Sequence, residues 1–238
     1  MPGYDFALSD RHLVAVALSN GLPVSRSNYP EAVANLVFEG LAHGAPSELR
    51  PQHSWALYAL SLVRSPTLMY TQDPNRIVES GSAICSQSAR VVVAIAERDG
   101  VPARIVGLPG HVVAEIFVED RWHLVDADYG LTLPASVSEI REAKWHGQVR
   151  NALTGRGYNH RQVRAYIDVL KRASVLTYRP LWAPDEPKPW LIERSAVLVS
   201  WGIPVLLIGG GAALLWMSLA PKSRAEQALK ASDVSISG

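Results

Sequence analysis

An apolar run near the C-terminus is the strongest constraint on how this chain can fold. The 25 residues from Ser195 to Leu219 include no Asp, Glu, Lys, Arg, His, Asn or Gln. As an α-helix the run would be ~37 Å long, enough to cross a hydrocarbon core of about 30 Å with some tilt. A buried core helix is the weaker alternative, because soluble helices of this length normally carry a polar face. We therefore predict a transmembrane helix over 195–219 and a short polar tail over 220–238.

The remaining sequence is long enough for one globular domain. The 238-residue chain is 48% hydrophobic and 19% charged, which fits a folded domain with an added apolar anchor. Its formal net charge of +1 gives no electrostatic reason to expect a nucleic-acid partner. A single cysteine cannot form an internal disulfide and excludes zinc sites that need several cysteines. We predict a domain over 1–175 and a Pro- and Trp-rich juxtamembrane linker over 176–194.

The orientation of the anchor depends on the start of the chain. The first twenty residues include Asp5, Asp10, Arg11 and His12, and they lack the basic start and apolar run of a signal peptide. Basic residues flank the apolar run on both sides, so the positive-inside rule does not decide the orientation. Without a signal peptide, we expect a single-pass C-terminal anchor and a domain that faces the cytoplasm.

Hydrophobic periodicity divides the domain into a helical part and a strand part. Residues before about Asn75 have helical spacing, whereas the period changes to two after Gly100. The predicted strands are Ala103–Leu108, His111–Val118 and Trp122–Ala127. The predicted helices after residue 80 are Ala83–Arg98, Ser136–Val149 and His160–Ser174. Ser80 or Ser82 is expected to cap the first of these helices.

Three residue types in this pattern are those of a thiol enzyme. Cys85 lies in the first turn of its predicted helix, where free amides and the helix dipole favour thiolate over thiol. His111 begins a strand, and Asp126 and Asp128 follow at the end of the next one. These groups can serve as a nucleophile, its base and the carboxylate that orients the base. A lone cysteine can equally be a small buried hydrophobe, so its position alone leaves both interpretations open.

The hairpin between the two strands leaves the choice of carboxylate open. A two-residue turn at 119–120 would put Asp128 opposite His111, with Asp126 one pair along on the same face. Both carboxylates would then reach the neighbourhood of the imidazole. A bulge or an altered turn would shift this register.

Several motifs in this region resemble one known family. The motif GSAICSQSA at 81–89, followed by Gly100–Arg104, resembles the transglutaminase-like superfamily of papain-type thiol enzymes, and His111–Glu115 and Trp122–Asp126 are similar to its next two blocks. The resemblance covers about 74–130. It implies an α+β fold, in which the nucleophile's helix packs on an antiparallel sheet. Together with the predicted anchor, it indicates a membrane-anchored bacterial member of the superfamily.

The same resemblance implies roles for individual residues. Cys85 would be the nucleophile, His111 the general base and Asp126 the orienting carboxylate, because Trp122-x-x-x-Asp126 matches the family pattern. The backbone amide of Cys85 and the side chain of Gln72 are candidate donors to an oxyanion. The sequence lacks the arginine-glycine-glycine run of the related arylamine acyltransferases, which argues against a coenzyme A substrate.

These observations predict a membrane-anchored thiol enzyme that hydrolyses amide bonds or transfers an acyl group to an amine. Many bacterial members of the family are hydrolases, so hydrolysis of a protein or peptide is placed first. No cofactor or metal is expected, because the histidines lack compact ligand spacing. The alternative is a catalytically inactive binding or assembly protein at the membrane. Tethering favours partners in envelope or polysaccharide assembly.

Overall fold

The computed structural model describes residues 8–22, 28–172, 177–179 and 189–219. The helices are α1 (Leu8–Asn20), α2 (Tyr29–Gly40), α3 (Trp55–Val63), α4 (Pro74–Ser80), α5 (Cys85–Arg98), α6 (Val137–Ile140), α7 (His146–Gly155), α8 (His160–Arg172) and α9 (Pro189–Leu219). The strands are β1 (Ala42–His43), β2 (Ser82–Ala83), β3 (Ala103–Leu108), β4 (His111–Val118), β5 (Arg121–Asp126), β6 (Leu131–Leu133) and β7 (Thr177–Arg179). Short 3-10 helices occupy Pro66–Met69 and Ala143–Trp145.

One antiparallel sheet organises the domain. Its five strands run in the order β6-β5-β4-β3-β7, and β1 pairs separately with β2. A two-residue turn joins β4 to β5, with Glu119 and Asp120 at φ 50° and 59°, as a type I′ hairpin requires. Val118 pairs with Arg121 across this turn. The predicted hairpin register is therefore confirmed.

The sheet is covered by helices on both faces. Ala114, Ile116 and Val125 belong to an apolar cluster shared with α1, α2 and α5. Val113 and Leu124 belong to a second cluster shared with α6, α7 and α8. Successive residues of β4 thus enter opposite cores, which explains why this strand is apolar on both faces. The predicted α+β fold, with the Cys85 helix packed on an antiparallel sheet, is confirmed.

The start of the Cys85 helix differs from the sequence prediction. Ser82 and Ala83 are paired in β2, so α5 begins at Cys85 rather than at Ala83. The residue before the helix is Ile84, and the predicted serine caps are wrong. Ser80 instead ends α4, where its hydroxyl donates to the Ile77 carbonyl. Pairing with β1 is a long-range interaction that local helical spacing does not reveal.

The region after the hairpin is also more divided than predicted. The helix expected over Ser136–Val149 is split into α6, a 3-10 turn and the start of α7. Strand β6 precedes it and was not predicted. Its three residues are too few to show a period of two.

The C-terminal helix begins earlier than the apolar run. Helix α9 starts at Pro189, and the most apolar 18-residue stretch within Glu193–Ser218 has a mean hydropathy of 2.0, so this segment has a length and composition sufficient to cross a membrane. Part of the predicted linker belongs to regular structure, because Thr177–Arg179 pairs with β3 as strand β7. Residues 180–188 of that linker and the predicted tail over 220–238 lie outside the described residues.

The N-terminal part of α9 is docked on the domain through Glu193 and Arg194. The buried Glu193 carboxylate accepts hydrogen bonds from the Thr71 hydroxyl and the Gln72 backbone N–H, each at 2.8 Å, and lies 3.5 Å from Arg76. Arg194 contacts Asp73 at 3.2 Å. The helix is thereby held directly against the loop that precedes α4.

Candidate active site

Cys85 occupies the first position of α5, and the buried Gln87 holds this end of the helix in place. Gln87 Oε1 accepts hydrogen bonds from the backbone N–H groups of Ser47 and Ile84, at 2.8 and 3.3 Å. Its Nε2 donates to the carbonyls of Ser47 and Thr71, at 2.8 and 2.9 Å. Two separate loops are thus fixed to the turn that carries the half-buried thiol. Sequence reasoning missed Gln87, since both partner loops are far from it in the chain.

His111 lies between the thiol and a carboxylate. Its Nε2 is 2.7 Å from Asp126 Oδ2, and its ring lies close enough to the Cys85 side chain for that group to raise the His111 pKa. Because Nε2 is occupied by Asp126, Nδ1 is the nitrogen left to face the thiol. The first turn of α5 and the ends of β4 and β5 therefore bring together Cys85, His111 and Asp126.

The Asp126 carboxylate is 1% exposed and surrounded by donors. Oδ2 accepts a hydrogen bond from the Tyr166 hydroxyl at 2.8 Å in addition to the one from His111. Oδ1 accepts from the backbone N–H groups of Asp128 and Tyr129, at 3.1 and 3.3 Å. These bonds compensate for the loss of water around a buried charge. They also fix the orientation of the carboxylate towards the imidazole.

Sequence reasoning missed Tyr166 as a polar contact of this site. Its spacing in α8 predicts only a buried apolar face, and the direction of a hydroxyl group is not encoded in helical periodicity. The ring does pack into the core, and burial raises the Tyr166 pKa well above its usual value, with Asp126 adding to the effect. Tyr166 is therefore a neutral donor to the carboxylate.

The surroundings favour the protonated imidazole of His111. Burial by itself lowers the His111 pKa, but the charge of Asp126 and the hydrogen bond to it, together with the Cys85 side chain, raise that pKa to about 10. The rings of Tyr129 and Tyr166 stand edge-on to the imidazole, at 5.5 and 5.9 Å between centroids. A protonated imidazole and a helix N-terminus are the kind of environment that stabilises a neighbouring thiolate.

The two candidate carboxylates have different partners. Asp128 Oδ1 lies 3.2 Å from Nδ1 of His43, whose Nε2 is 2.8 Å from the Phe38 carbonyl oxygen. The bulge considered from the sequence is absent from the described β4–β5 ladder, which keeps its simple register from Ala114–Val125 to the turn. Asp126 reaches His111 as a diagonal neighbour instead. Diagonal contacts of this kind are within reach of long side chains in a sheet.

Of the two oxyanion donors named from the sequence, Gln72 has other hydrogen-bond partners in the structure. The side-chain amide of Gln72 donates to the Tyr70 carbonyl at 3.0 Å, and its backbone N–H is bound by Glu193. This leaves the N-terminal amides of α5 as the donors closest to the thiol along the chain. Two cavities of about 810 and 750 Å³ lie near Asp73 and Arg194 rather than at Cys85.

Comparison with known protein families gives a match over the region that contains Cys85, His111 and Asp126. Residues 42–127 match the family model of the transglutaminase-like superfamily, and this range contains α5, β4 and β5. The resemblance to this superfamily that was stated from the sequence is therefore confirmed over residues 42–127. No curated protein matches the chain.

Two solved structures give low similarities. One is a proposed cysteine protease from Cytophaga hutchinsonii, with 12% identity, a TM-score of 0.33, and coverage of 50% of this chain and 37% of the other. The second is a proposed protease from Parabacteroides distasonis, with 9% identity, a TM-score of 0.31, and coverage of 54% and 27%. The chain thus spans well under half the length of either protein.

Proposed function

We propose that this protein is a membrane-anchored thiol enzyme in which Cys85, His111 and Asp126 form a catalytic triad. The observation that carries the proposal is the position of His111, which lies 2.7 Å from the Asp126 carboxylate and close enough to Cys85 for the Cys85 side chain to raise its pKa. A buried imidazole held in this way has one nitrogen fixed by a carboxylate and the other available for proton exchange with the thiol. A binding module would have no chemical need for this arrangement.

The proposed reaction begins with the thiolate of Cys85 and the protonated imidazole of His111. The sulfur attacks the carbonyl carbon of an amide, so that a C–S bond forms and the carbonyl electrons move to oxygen. Backbone amides at the start of α5 stabilise this oxyanion. When the intermediate collapses, the C–N bond breaks and His111 gives its proton to the leaving amine.

The thioacyl enzyme then has two possible acceptors. If water attacks, His111 takes its proton, the C–S bond breaks and a carboxylic acid is released. If an amine attacks, the same steps give a new amide. We propose hydrolysis of a protein or peptide as the main reaction, because water needs no binding site of its own.

We propose that α9 is a single-pass anchor and that the catalytic domain faces the cytoplasm. The support for the anchor is the length and apolar composition of Glu193–Ser218. Such an anchor would restrict the enzyme to substrates near the membrane, and we propose partners in envelope or polysaccharide assembly. Reporter fusions on either side of α9 would test the orientation, since an active cytoplasmic reporter on the C-terminal side would contradict it.

The triad is tested by the pH dependence of alkylation at Cys85, the only thiol in the full chain. A thiolate paired with an imidazolium reacts with iodoacetamide at pH 6, where a thiol of ordinary pKa near 8.5 is almost unreactive. We expect rapid labelling of the wild-type protein, and at least about a tenfold slower rate in His111→Ala.

The matched control for this experiment is His43→Ala. This variant removes a neighbouring imidazole that is bound to Asp128 and Phe38, so it should alkylate at nearly the wild-type rate. If the pH dependence of alkylation is that of an ordinary thiol and does not change in His111→Ala, the proposal of a thiol enzyme is rejected. The alternative of a binding or assembly protein is then favoured. Mass spectrometry of products formed with and without an added amine would then distinguish hydrolysis from acyl transfer.

A further inference from the structure

Helix α3 has its polar and apolar residues reversed relative to a helix on a water-facing surface. Its sequence, WALYALSLV, contains no charged residue. Of its nine residues, all of which the structure describes, only Ser61 is buried, and the N-cap Ser54 is buried as well. Its exposed large side chains are Trp55, Tyr58, Leu60, Leu62 and Val63, with Leu62 at 71% and Val63 at 88% exposure. A helix that buries serine and exposes leucine and valine is matched to an apolar surrounding.

This helix is fastened to the first part of the apolar segment of α9. The Trp55 indole N–H donates to the Ser200 carbonyl at 2.6 Å, and the hydroxyl groups of Ser54 and Ser200 are 3.0 Å apart. In return, the Trp201 indole donates to the Gln52 carbonyl at 3.1 Å. These three contacts pair polar groups of α9 with polar groups at the start of α3, and they place the apolar surface of α3 beside that of α9.

We infer that α3 is a second membrane-contacting element, which lies in the bilayer beside α9 and is covered by lipid. The inference rests on the proposed anchor, because α3 reaches the bilayer through its contact with that helix. Lipid fits as the occupant because the exposed face of α3 is continuous with α9, where Leu206, Leu207 and Ile208 are exposed over most of their surface. A single bilayer can cover the exposed apolar side chains of both helices, whereas a protein partner would need a surface that fits each of them.

The residues around α3 fit the boundary of a membrane. Trp55 and Tyr58 at the start of α3, and Trp201 on α9, are aromatic residues of the kind that concentrate at the membrane interface. Arg50 precedes the helix and Arg64 follows it, and both are exposed, so they can meet anionic headgroups. An apolar helix between exposed arginines is typical of a segment lying in the interfacial plane.

Two attachments would fix the orientation of the domain on the membrane. Glu193 of α9 binds the Thr71 hydroxyl, and Gln87 of α5 binds the Thr71 carbonyl. The anchor is thus connected through one residue to the turn that carries Cys85. With α3 also in the bilayer, the domain could not rotate freely, and the thiol would be kept at a constant distance from the membrane surface.

The single-cysteine sequence allows a direct test in the full chain. In a Cys85→Ser background, cysteines are introduced as Leu62→Cys on α3, Leu207→Cys on α9 and Lys144→Cys on an exposed turn far from both in sequence. Each variant is labelled with bimane and reconstituted in phosphatidylcholine–phosphatidylglycerol vesicles containing lipids spin-labelled at different depths. We expect quenching at residue 62 that places it about 5–10 Å below the headgroups, and none at residue 144.

Each outcome has a distinct meaning. If residue 207 is quenched by deep spin labels and residue 62 behaves like residue 144, α3 is outside the bilayer and the inference is overturned while the anchor stands. If residue 207 is not quenched, the proposed anchor itself fails. Quenching at residue 62 by shallow labels, together with quenching at residue 207 by deep ones, supports both.

Discussion

Two histidine–aspartate pairs lie close together in this domain, and only one of them contacts the thiol. In the first, His111 and Asp126 are 2.7 Å apart and almost entirely buried. In the second, His43 and Asp128 are 3.2 Å apart and each about a fifth exposed, at 21% and 20%. Asp126 is the last residue of β5, and Asp128 lies in the turn that follows it. Proximity of an imidazole to a carboxylate is therefore not sufficient to identify a catalytic base.

The second nitrogen of each ring explains the difference. Nε2 of His43 faces the Phe38 carbonyl, so both of its ring nitrogens have fixed acceptors. Burial lowers the His43 pKa, but the hydrogen bonds to Asp128 and Phe38 outweigh it and raise the pKa overall. Neither of its nitrogens is left to exchange a proton with a nucleophile. His111 instead faces a thiol, which can gain or lose one.

The largest effect on Cys85 alkylation is expected from Asp126→Asn, which is compared with the same exchange at Asp128. Asp126→Asn replaces an oxygen by an NH2 group, so two of the four donors around this side chain lose their acceptor, whichever way the amide is turned. We expect Cys85 alkylation at pH 6 to fall by at least about tenfold, because His111 is no longer held as an imidazolium.

The matched variant is Asp128→Asn, whose amide oxygen can still accept the hydrogen bond from His43. Its alkylation rate should stay within about threefold of the wild type, since this pair does not touch the thiol. An equal loss of alkylation rate in the two variants would mean that the two histidine–aspartate pairs act on the thiol as one unit, which would contradict the assignment of His111 and Asp126 alone. Circular dichroism of both variants separates loss of reactivity from loss of fold.

The pH dependence of stability should also differ between the pairs. The folded-state pKa of His111 is raised to about 10, so its contribution is fully present below the unfolded value near 6.5 and is lost as pH rises through 10. The stability difference between the parent and His111→Gln should therefore shrink between pH 6.5 and 10. For this buried pair we expect a change on the order of 1–3 kcal/mol, or several degrees in Tm.

His43→Gln provides the comparison, and both variants are made in a Cys85→Ser background so that thiol ionisation does not contribute. Asp126, the largest cause that raises the His111 pKa, is still present in that background. The His43 pKa is also raised, so the sign of the pH dependence is the same. Its magnitude should be smaller, because solvent screens a pair that is about a fifth exposed. Tm is followed by tryptophan fluorescence in detergent micelles. A larger pH effect for His43 than for His111 would contradict the assignment.

The elements with local signals could be predicted from the sequence, and the polar contacts between distant segments could not. The β4–β5 hairpin followed from alternation and a two-residue turn, and α5 followed from helical spacing around Cys85. His43 had no such signal, because β1 has two residues and gains its position by pairing with β2. Gln87 and Tyr166 act through partners 40 residues away, at Ser47 and Asp126. Their roles depend on packing, which periodicity does not describe.

The smallest effect is expected from Tyr166→Phe, which removes one donor from Asp126 and leaves the ring in the core. Asp126 Oδ2 then keeps the hydrogen bond from His111 and loses the one from the hydroxyl, which costs about 1–2 kcal/mol of unfolding free energy. Cys85 alkylation at pH 6 should slow by roughly three- to tenfold, because a less restrained carboxylate orients the imidazole less well. The control is Tyr129→Phe, since that residue packs its ring almost perpendicular to the His111 imidazole, and phenylalanine retains the ring. If Tyr129→Phe slows alkylation as much as Tyr166→Phe does, aromatic packing around His111 rather than the hydroxyl on Asp126 holds the imidazole in place.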